Sequence, residues 1–233
     1  MTPTRLLVVA ALGASLLAGC AEVASTGAPT PSPIDPNLPI EVQLKEAIEA
    51  GDVDHVRLVL EDYTDLEAEV WAGMPPLHYA VRRNQPEIAQ ILIDAGADLE
   101  ARDSNSLTPL LAGANYSGPE VVEVLLDAGA DVDAVDPSYW DRRALTYAAA
   151  YGDLTKVELL LDHGADLHYV DDIGVNALIG AVFHQESDVA RFLIDLGADV
   201  NQVALDGTTS LGWATYNGDT DLADHLVQAG ATR

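Results

Sequence analysis

The phrase DAGADLEARD at Asp94–Asp103 returns as DAGADVDAVD (Asp127–Asp136), DHGADLHYVD (Asp162–Asp171) and DLGADVNQVA (Asp195–Ala204), then breaks off in another copy at Gln228–Arg233. Its glycines, Gly96, Gly129, Gly164, Gly197 and Gly230, are spaced by 33, 35, 33 and 33 residues. Counting 33 back from Gly96 reaches Tyr63, inside a degenerate first copy. A period of this size confines the chain to an array of like units. Each is too small to bury a core alone and is stable only against its neighbours.

Each unit reads as two short helices. Ahead of the glycine, apolar residues come in pairs one turn apart: Ile88/Ala89 with Leu92/Ile93, Val121/Val122 with Leu125/Leu126, Val189/Ala190 with Leu193/Ile194, and Leu222/Ala223 with Leu226/Val227. That spacing gives one face of a two-turn helix. Pro86 and Pro119 fall where a first helical residue tolerates a missing N–H, and the glycine supplies the left-handed residue that ends the helix. Lys156 breaks the pattern by replacing an apolar residue in the fourth unit. The other helix starts near PPLHYA (Pro75–Ala80), TPLLAGA, RALTYAAA, NALIGAV and TSLGWAT, each with a leucine (Leu77, Leu110, Leu145, Leu178, Leu211) followed by small residues that let helices approach closely.

The PLHYA…GAD unit at Pro76–Asp98, with its 33-residue period, closely resembles the ankyrin repeat, and the resemblance runs from Ile40 to Arg233. It implies an all-α fold, an α-solenoid of stacked ankyrin repeats carrying short β-hairpin fingers. Six repeats are expected, at about 40–70, 71–103, 104–136, 137–171, 172–204 and 205–233. The polar first and last copies read as caps. The resemblance also gives His78 a structural role, a hydrogen bond across the turn between repeats.

Ahead of the repeats, Arg5 precedes an apolar run, Leu6–Leu17, too short to span a bilayer. It ends in LAGC, Leu17–Cys20, which resembles the lipobox of bacterial lipoproteins, and Cys20 is the single cysteine of the chain. The resemblance implies a signal peptide over 1–19 and acylation (palmitate among the chains) of Cys20. The module would then be held to a bacterial membrane in the cell envelope, facing periplasm or exterior, with inner or outer membrane left open. Residues 20–39, the lipidated cysteine and a proline-rich run, form a tether with a reach of about 25 Å. The membrane is thus met through the lipid anchor only. A net charge of −27, from 38 acids against 11 Lys and Arg, argues against nucleic acid and anionic headgroups as partners.

No residue pattern claims catalysis. GxSxG, HExxH and a glycine-rich phosphate loop are lacking, and the only thiol is Cys20. His163 and His168 flank a helix-ending turn and are not placed to share a zinc ion. The DVDAVD run (Asp131–Asp136) lacks the glycine and distal glutamate of a calcium loop and reads as a finger arm. Neither a metal, a cofactor nor a catalytic residue is expected.

Ankyrin proteins generally bind other proteins through finger tips and the ends of the first helices. Transferred to this chain, that surface holds Trp71, Met74, Arg82, Arg83, Tyr116, Tyr139, Trp140, Arg142, Tyr151, Phe183, His184 and Tyr216. It thereby gathers seven of the 13 Trp, Tyr and Phe residues, and aromatics and arginine dominate interface energies. A two-residue insertion lengthens the middle finger, Asp136–Arg143, and makes Trp140 the leading anchor. The expected function is protein–protein interaction by a monomer through a concave aromatic groove, with a partner the sequence does not identify. An enzyme or small-ligand binder using the same groove is the alternative, and a structural element without a specific partner a third.

Overall fold

A computed structural model describes residues 35–232. The leader, Cys20 and the tether up to residue 34 lie outside the described residues. Within them the chain forms two compact units, 35–131 and 132–232. Each holds three helix pairs.

In the first unit the pairs are α1 (Ile40–Ala50) with α2 (Val53–Leu60), α3 (Pro76–Arg82) with α4 (Pro86–Asp94), and α5 (Pro109–Tyr116) with α6 (Pro119–Asp127). First helices pack on first helices and second on second: α1 on α3 on α5, and α2 on α4 on α6. The second unit opens with a two-stranded finger, β1 (Val135–Asp136) antiparallel to β2 (Arg142–Arg143). Its pairs are α7 (Ala144–Ala150) with α8 (Leu154–Asp162), α9 (Ala177–Phe183) with α10 (Ser187–Asp195), and α11 (Ser210–Asn217) with α12 (Thr220–Gln228). They stack in the same way.

Helices of seven to eleven residues are marginal in isolation. Their stability comes from the apolar stripe that each lays on its neighbours. The first-helix leucines Leu77, Leu110, Leu145, Leu178 and Leu211 are all buried. So are the second-helix pairs Ile88/Leu92, Val121/Leu125, Val189/Leu193 and Leu222/Leu226. Each such side chain contributes about 1.5–3 kcal/mol of burial. Lys156 is buried too: its stem takes the apolar position while its Nζ reaches Asp153 Oδ2 at 3.3 Å.

Polar ends keep the short helices from fraying. Asp52, Thr108, Asp153, Asn176, Thr209 and Asp219 each accept an N–H from the first turn of the following helix. Pro86 and Pro119 open α4 and α6 at positions that need no donor. At the far end, Gly96, Gly129, Gly164, Gly197 and Gly230 sit at φ of +90° to +99°. The chain turns there through bonds such as Ala97 N–H to Leu92 O at 3.0 Å.

Finger tips use left-handed backbone at one repeat position, occupied by Gly73, Ser106, Asp141, Gly174 and Gly207. Two of these glycines face different surroundings. A Cβ on Gly174 would stand 2.9 Å from Ala204 Cα and 3.1 Å from Val203 O, whereas Gly207 has nothing within 4 Å. Gly207→Ala should therefore cost only the left-handed penalty, about 1 kcal/mol, and Gly174→Ala at least about 1 kcal/mol more because backbone must shift. Urea denaturation of the two variants checks the order; equal losses would refute the close approach.

Candidate binding surfaces

Each finger begins with one backbone bond repeated along the chain: Val70 N–H to Met74 O (3.0 Å), Asp103 to Leu107 (3.0 Å), Asp171 to Val175 (3.0 Å), and Ala204 to Thr208 (2.9 Å). In three fingers a buried aspartate holds the tip from inside. Asp103 Oδ1 accepts the N–H groups of Asn105 and Leu107 at 2.9 and 3.0 Å. Asp171 Oδ1 accepts those of Ile173 and Val175 at 3.1 and 2.8 Å. Asp136 Oδ1 accepts Ser138 N–H at 2.9 Å, and its Oδ2 takes the Tyr147 hydroxyl at 2.6 Å. Burial and this bond push the Tyr147 hydroxyl far above its ordinary range, so it stays a donor. His78 ties one repeat to the next in the role that the ankyrin resemblance implies: its Nε2 meets the Leu107 carbonyl at 2.9 Å. Burial pushes its imidazole below the ordinary histidine value.

Two expected surface residues are not on the surface. Met74 and Arg142 are 7% and 2% exposed. They share one repeat position with Leu107 and Val175, which are buried as well. In these four repeats that position closes the finger against the first helix, so its occupant faces inward. Arg142 fills it with a charge. Its Nε donates to Asp171 Oδ2 at 3.3 Å, with both side chains buried, and its guanidinium lies 4.5 Å over the Tyr139 ring. Arg142 is therefore the clamp of the longer finger, not a partner contact. Around it, Tyr169 Oη donates to the Asp141 carbonyl at 2.6 Å, and Arg143 stacks on Tyr169 at 3.7 Å while pairing with Asp133 at 2.9 Å.

The first unit keeps four of its expected residues in reach of solvent. Trp71, 51% exposed, is bracketed by its finger bond to Met74 and carries Lys45 Nζ 4.4 Å from its ring centre. Tyr116, also exposed, lies 4.7 Å under the Arg82 guanidinium. Arg83 follows at the C-terminal end of α3 and donates to the Glu49 carbonyl at 3.3 Å. Lys45 is an addition that the sequence placed among capping residues. Its register, 33 residues before the buried His78, gave no sign of this contact.

The second unit carries a ladder of rings. Tyr139 meets Trp140 edge-on at 4.5 Å, Phe183 meets His184 at 5.0 Å and Trp213 at 4.6 Å, and Trp213 meets Tyr216 at 5.6 Å. Trp140, Phe183 and Trp213 rest on a core of Ile173, Val175, Ile179 and Ala204. Tyr139, Trp140, Tyr151, Phe183 and His184 are half-buried, while Tyr216 is 77% exposed. Trp140 stands at φ +57°, a costly left-handed setting for a large residue, and its carbonyl accepts Asp172 N–H from the next finger at 3.0 Å. Trp213 was not foreseen. It occupies the repeat position of Tyr79 and Tyr147, which are buried, and so reads as core from register alone. Leu205 is 70% exposed at the last finger.

Among the described residues no group of three or more His, Cys, Asp or Glu side chains is placed to hold a metal ion, and no helix is long and apolar enough to cross a membrane. A family model for ankyrin repeats matches three times, over residues 44–136, 110–204 and 145–232. The chain belongs to the ankyrin-repeat family. Ankyrin domains of known structure resemble it over most of its length. One from Acinetobacter baumannii AYE is 27% identical with a TM-score of 0.72, covering 82% of this chain and 100% of its own. The ankyrin repeat protein EF0377 is 31% identical with a TM-score of 0.72, covering 80% and 96%. The ankyrin domain of Bcl-3, a member of the IkappaB protein family, is 29% identical with a TM-score of 0.74, covering 82% and 86%. A comparison with curated proteins gives no match. Ankyrin repeats are generally protein–protein interaction modules, and such neighbours are typically non-enzymatic.

The Arg142–Asp171 clamp has a testable pH signature. Burial raises the Asp171 carboxyl above its ordinary value of 3.8, with the Val175 N–H and the Arg142 charge working against the rise. A raised carboxyl contributes stability that is present below the unfolded value and lost as pH climbs through the folded one. Removing the arginine raises that folded value further. Arg142→Met should therefore lose more stability between about pH 4 and pH 7 than the parent does. Urea titrations at both ends of that range measure it; parallel pH profiles would contradict the pairing.

Proposed function

We propose that this ankyrin-repeat chain is an exported, lipid-anchored monomer that docks a polypeptide partner through the rings and cations at its finger tips and first-helix ends. On the first unit these are Trp71, Arg82, Arg83 and Tyr116. On the second they are Tyr139, Trp140, Tyr151, Phe183, His184 and Tyr216. Export and anchoring in the cell envelope, as signal peptide and acylated Cys20, are supported by the LAGC ending of the apolar leader and by the solitary cysteine.

The observation that carries the docking reading is the exposure of Trp71 and Tyr216, at 51% and 77%, on elements whose backbone is held from beneath. A rigidly mounted ring loses little entropy when covered, which is what an interface anchor needs. The half-buried rings beside Tyr216 supply a firm apolar floor. Trp140 serves there as much by packing on the core as by offering its free edge.

The small-ligand reading has weaker support. A cavity in the second unit is lined by Val182, Gln185, Ser187, Asn217, Asp219 and neighbours. Three of its polar side chains are already bonded to protein: Ser187 Oγ to Asp219 Oδ2 at 2.6 Å, and Asn217 Nδ2 to the Val182 carbonyl at 3.0 Å.

Crosslinked capture from the native envelope, read by mass spectrometry, tests the proposal. A partner captured by the parent chain should fall by about tenfold or more with Trp71→Ala or Tyr216→Ala, with little change in thermal midpoint. Undiminished capture by both variants rules the docking role out. In the same cells Cys20→Ser should move the protein out of the membrane fraction; unchanged fractionation would remove the lipid anchor from the account.

A further inference from the structure

Residues 35–131 hold 20 Asp and Glu against five Lys and Arg, a net of −15. The few cations are not spread evenly. Lys45, Arg82 and Arg83 lie along one strip with Trp71 and Tyr116: Trp71 under Lys45 at 4.4 Å, Lys45 to Glu49 Oε2 at 3.1 Å, Arg83 to the Glu49 carbonyl at 3.3 Å, and Arg82 over Tyr116 at 4.7 Å. From Val70 through Pro86 the sequence contains no acid at all.

With 20 carboxylates in the unit, two adjacent exposed arginines would find acid partners if surface charge were arranged for stability. Among the described residues neither Arg82 nor Arg83 pairs with a carboxylate. By contrast Arg143 and Lys156 in the second unit each reach one, at 2.9 and 3.3 Å. The Tyr116 ring and the Glu49 carbonyl orient the two guanidinium groups without neutralising them. That leaves their planar donor forks, which match carboxylates two bonds at a time, presented beside exposed rings.

Resting on the docking reading above, we infer that the first-unit strip takes a short acidic segment of a polypeptide, Asp or Glu side chains flanked by apolar ones. The carboxylates meet Arg82 and Arg83 and the apolar residues cover Trp71 and Tyr116. The surrounding −15 does not forbid this. At physiological salt charges beyond about 8 Å are largely screened, whereas pairs in contact and shielded from water are not. The same field does exclude a partner that is acidic throughout. The segment therefore belongs to a protein that is neutral or basic elsewhere.

The test is titration calorimetry of the full chain in about 0.15 M salt with three probes: a capped octapeptide alternating Glu and Leu, its Gln and Leu counterpart, and inorganic polyphosphate. The Glu peptide should bind at least about tenfold tighter than the Gln peptide, and the double variant Arg82→Gln/Arg83→Gln should erase that preference. Tyr216→Ala, in the other unit, should leave it intact. Circular dichroism confirms that the exposed double variant remains folded. No binding of the Glu peptide, equal binding of both peptides, or a preference that survives the double variant overturns the inference. Binding of polyphosphate without a Glu preference overturns it in favour of a phosphate polymer. If the peptides fail while Tyr216→Ala still abolishes capture from the envelope, this inference falls and the docking reading stands.

Discussion

Everything in this molecule depends on one short helix lying against the next. A first helix of seven or eight residues, such as α3 or α9, cannot hold its own hydrogen bonds in water. It can hold them when a leucine such as Leu77 or Leu178 is buried against the neighbouring repeat. The consequence for function is spatial. Stability is drawn from the faces between repeats and from the inward side of the fingers, so the outward side chains are left to carry residues chosen for other reasons. Trp71, Tyr116, Leu205 and Tyr216 are large and exposed.

The buried carboxylates make those tips rigid. Asp103 and Asp171 each collect two backbone N–H groups, and Asp136 collects an N–H and two hydroxyls, one of them from Tyr147. The apparent calcium-like run of acids is thus the inner brace of a finger. In the longest finger the brace is reinforced by Arg142, a buried charge in a position that elsewhere holds methionine, leucine, valine or threonine. Such a buried pair is a poor source of net stability, but removing either partner leaves the other charge buried and unpaired, which is costly.

The helix pairs, their glycine ends and the N1 prolines were legible in the sequence, since each is a local consequence of residue type repeated at a fixed period, whereas the inter-repeat bond of His78 came from the ankyrin resemblance alone. Burial at the fingers was less legible. Met74 and Arg142 look like tip residues because they stand next to Trp71 and Trp140, yet both occupy the inward position shared with Leu107 and Val175. Trp213 failed for the opposite reason: its register matches buried tyrosines, and only a side chain larger than the slot reaches the surface. The Lys45–Trp71 and Arg82–Tyr116 stacks join residues 26 and 34 positions apart, and no local pattern announces them.

The central claim is that the partner meets the finger tips and first-helix ends, not the outer helices. Site-specific photo-crosslinking in living cells tests it directly, with the photoreactive side chain placed in turn at Tyr116, Tyr216, Leu58 and Val227. All four positions are exposed, the first two on first helices and the last two on second helices. The account predicts a discrete polypeptide adduct from positions 116 and 216 and none from 58 and 227. Adducts confined to 58 or 227 would place the partner on the opposite elements and contradict it.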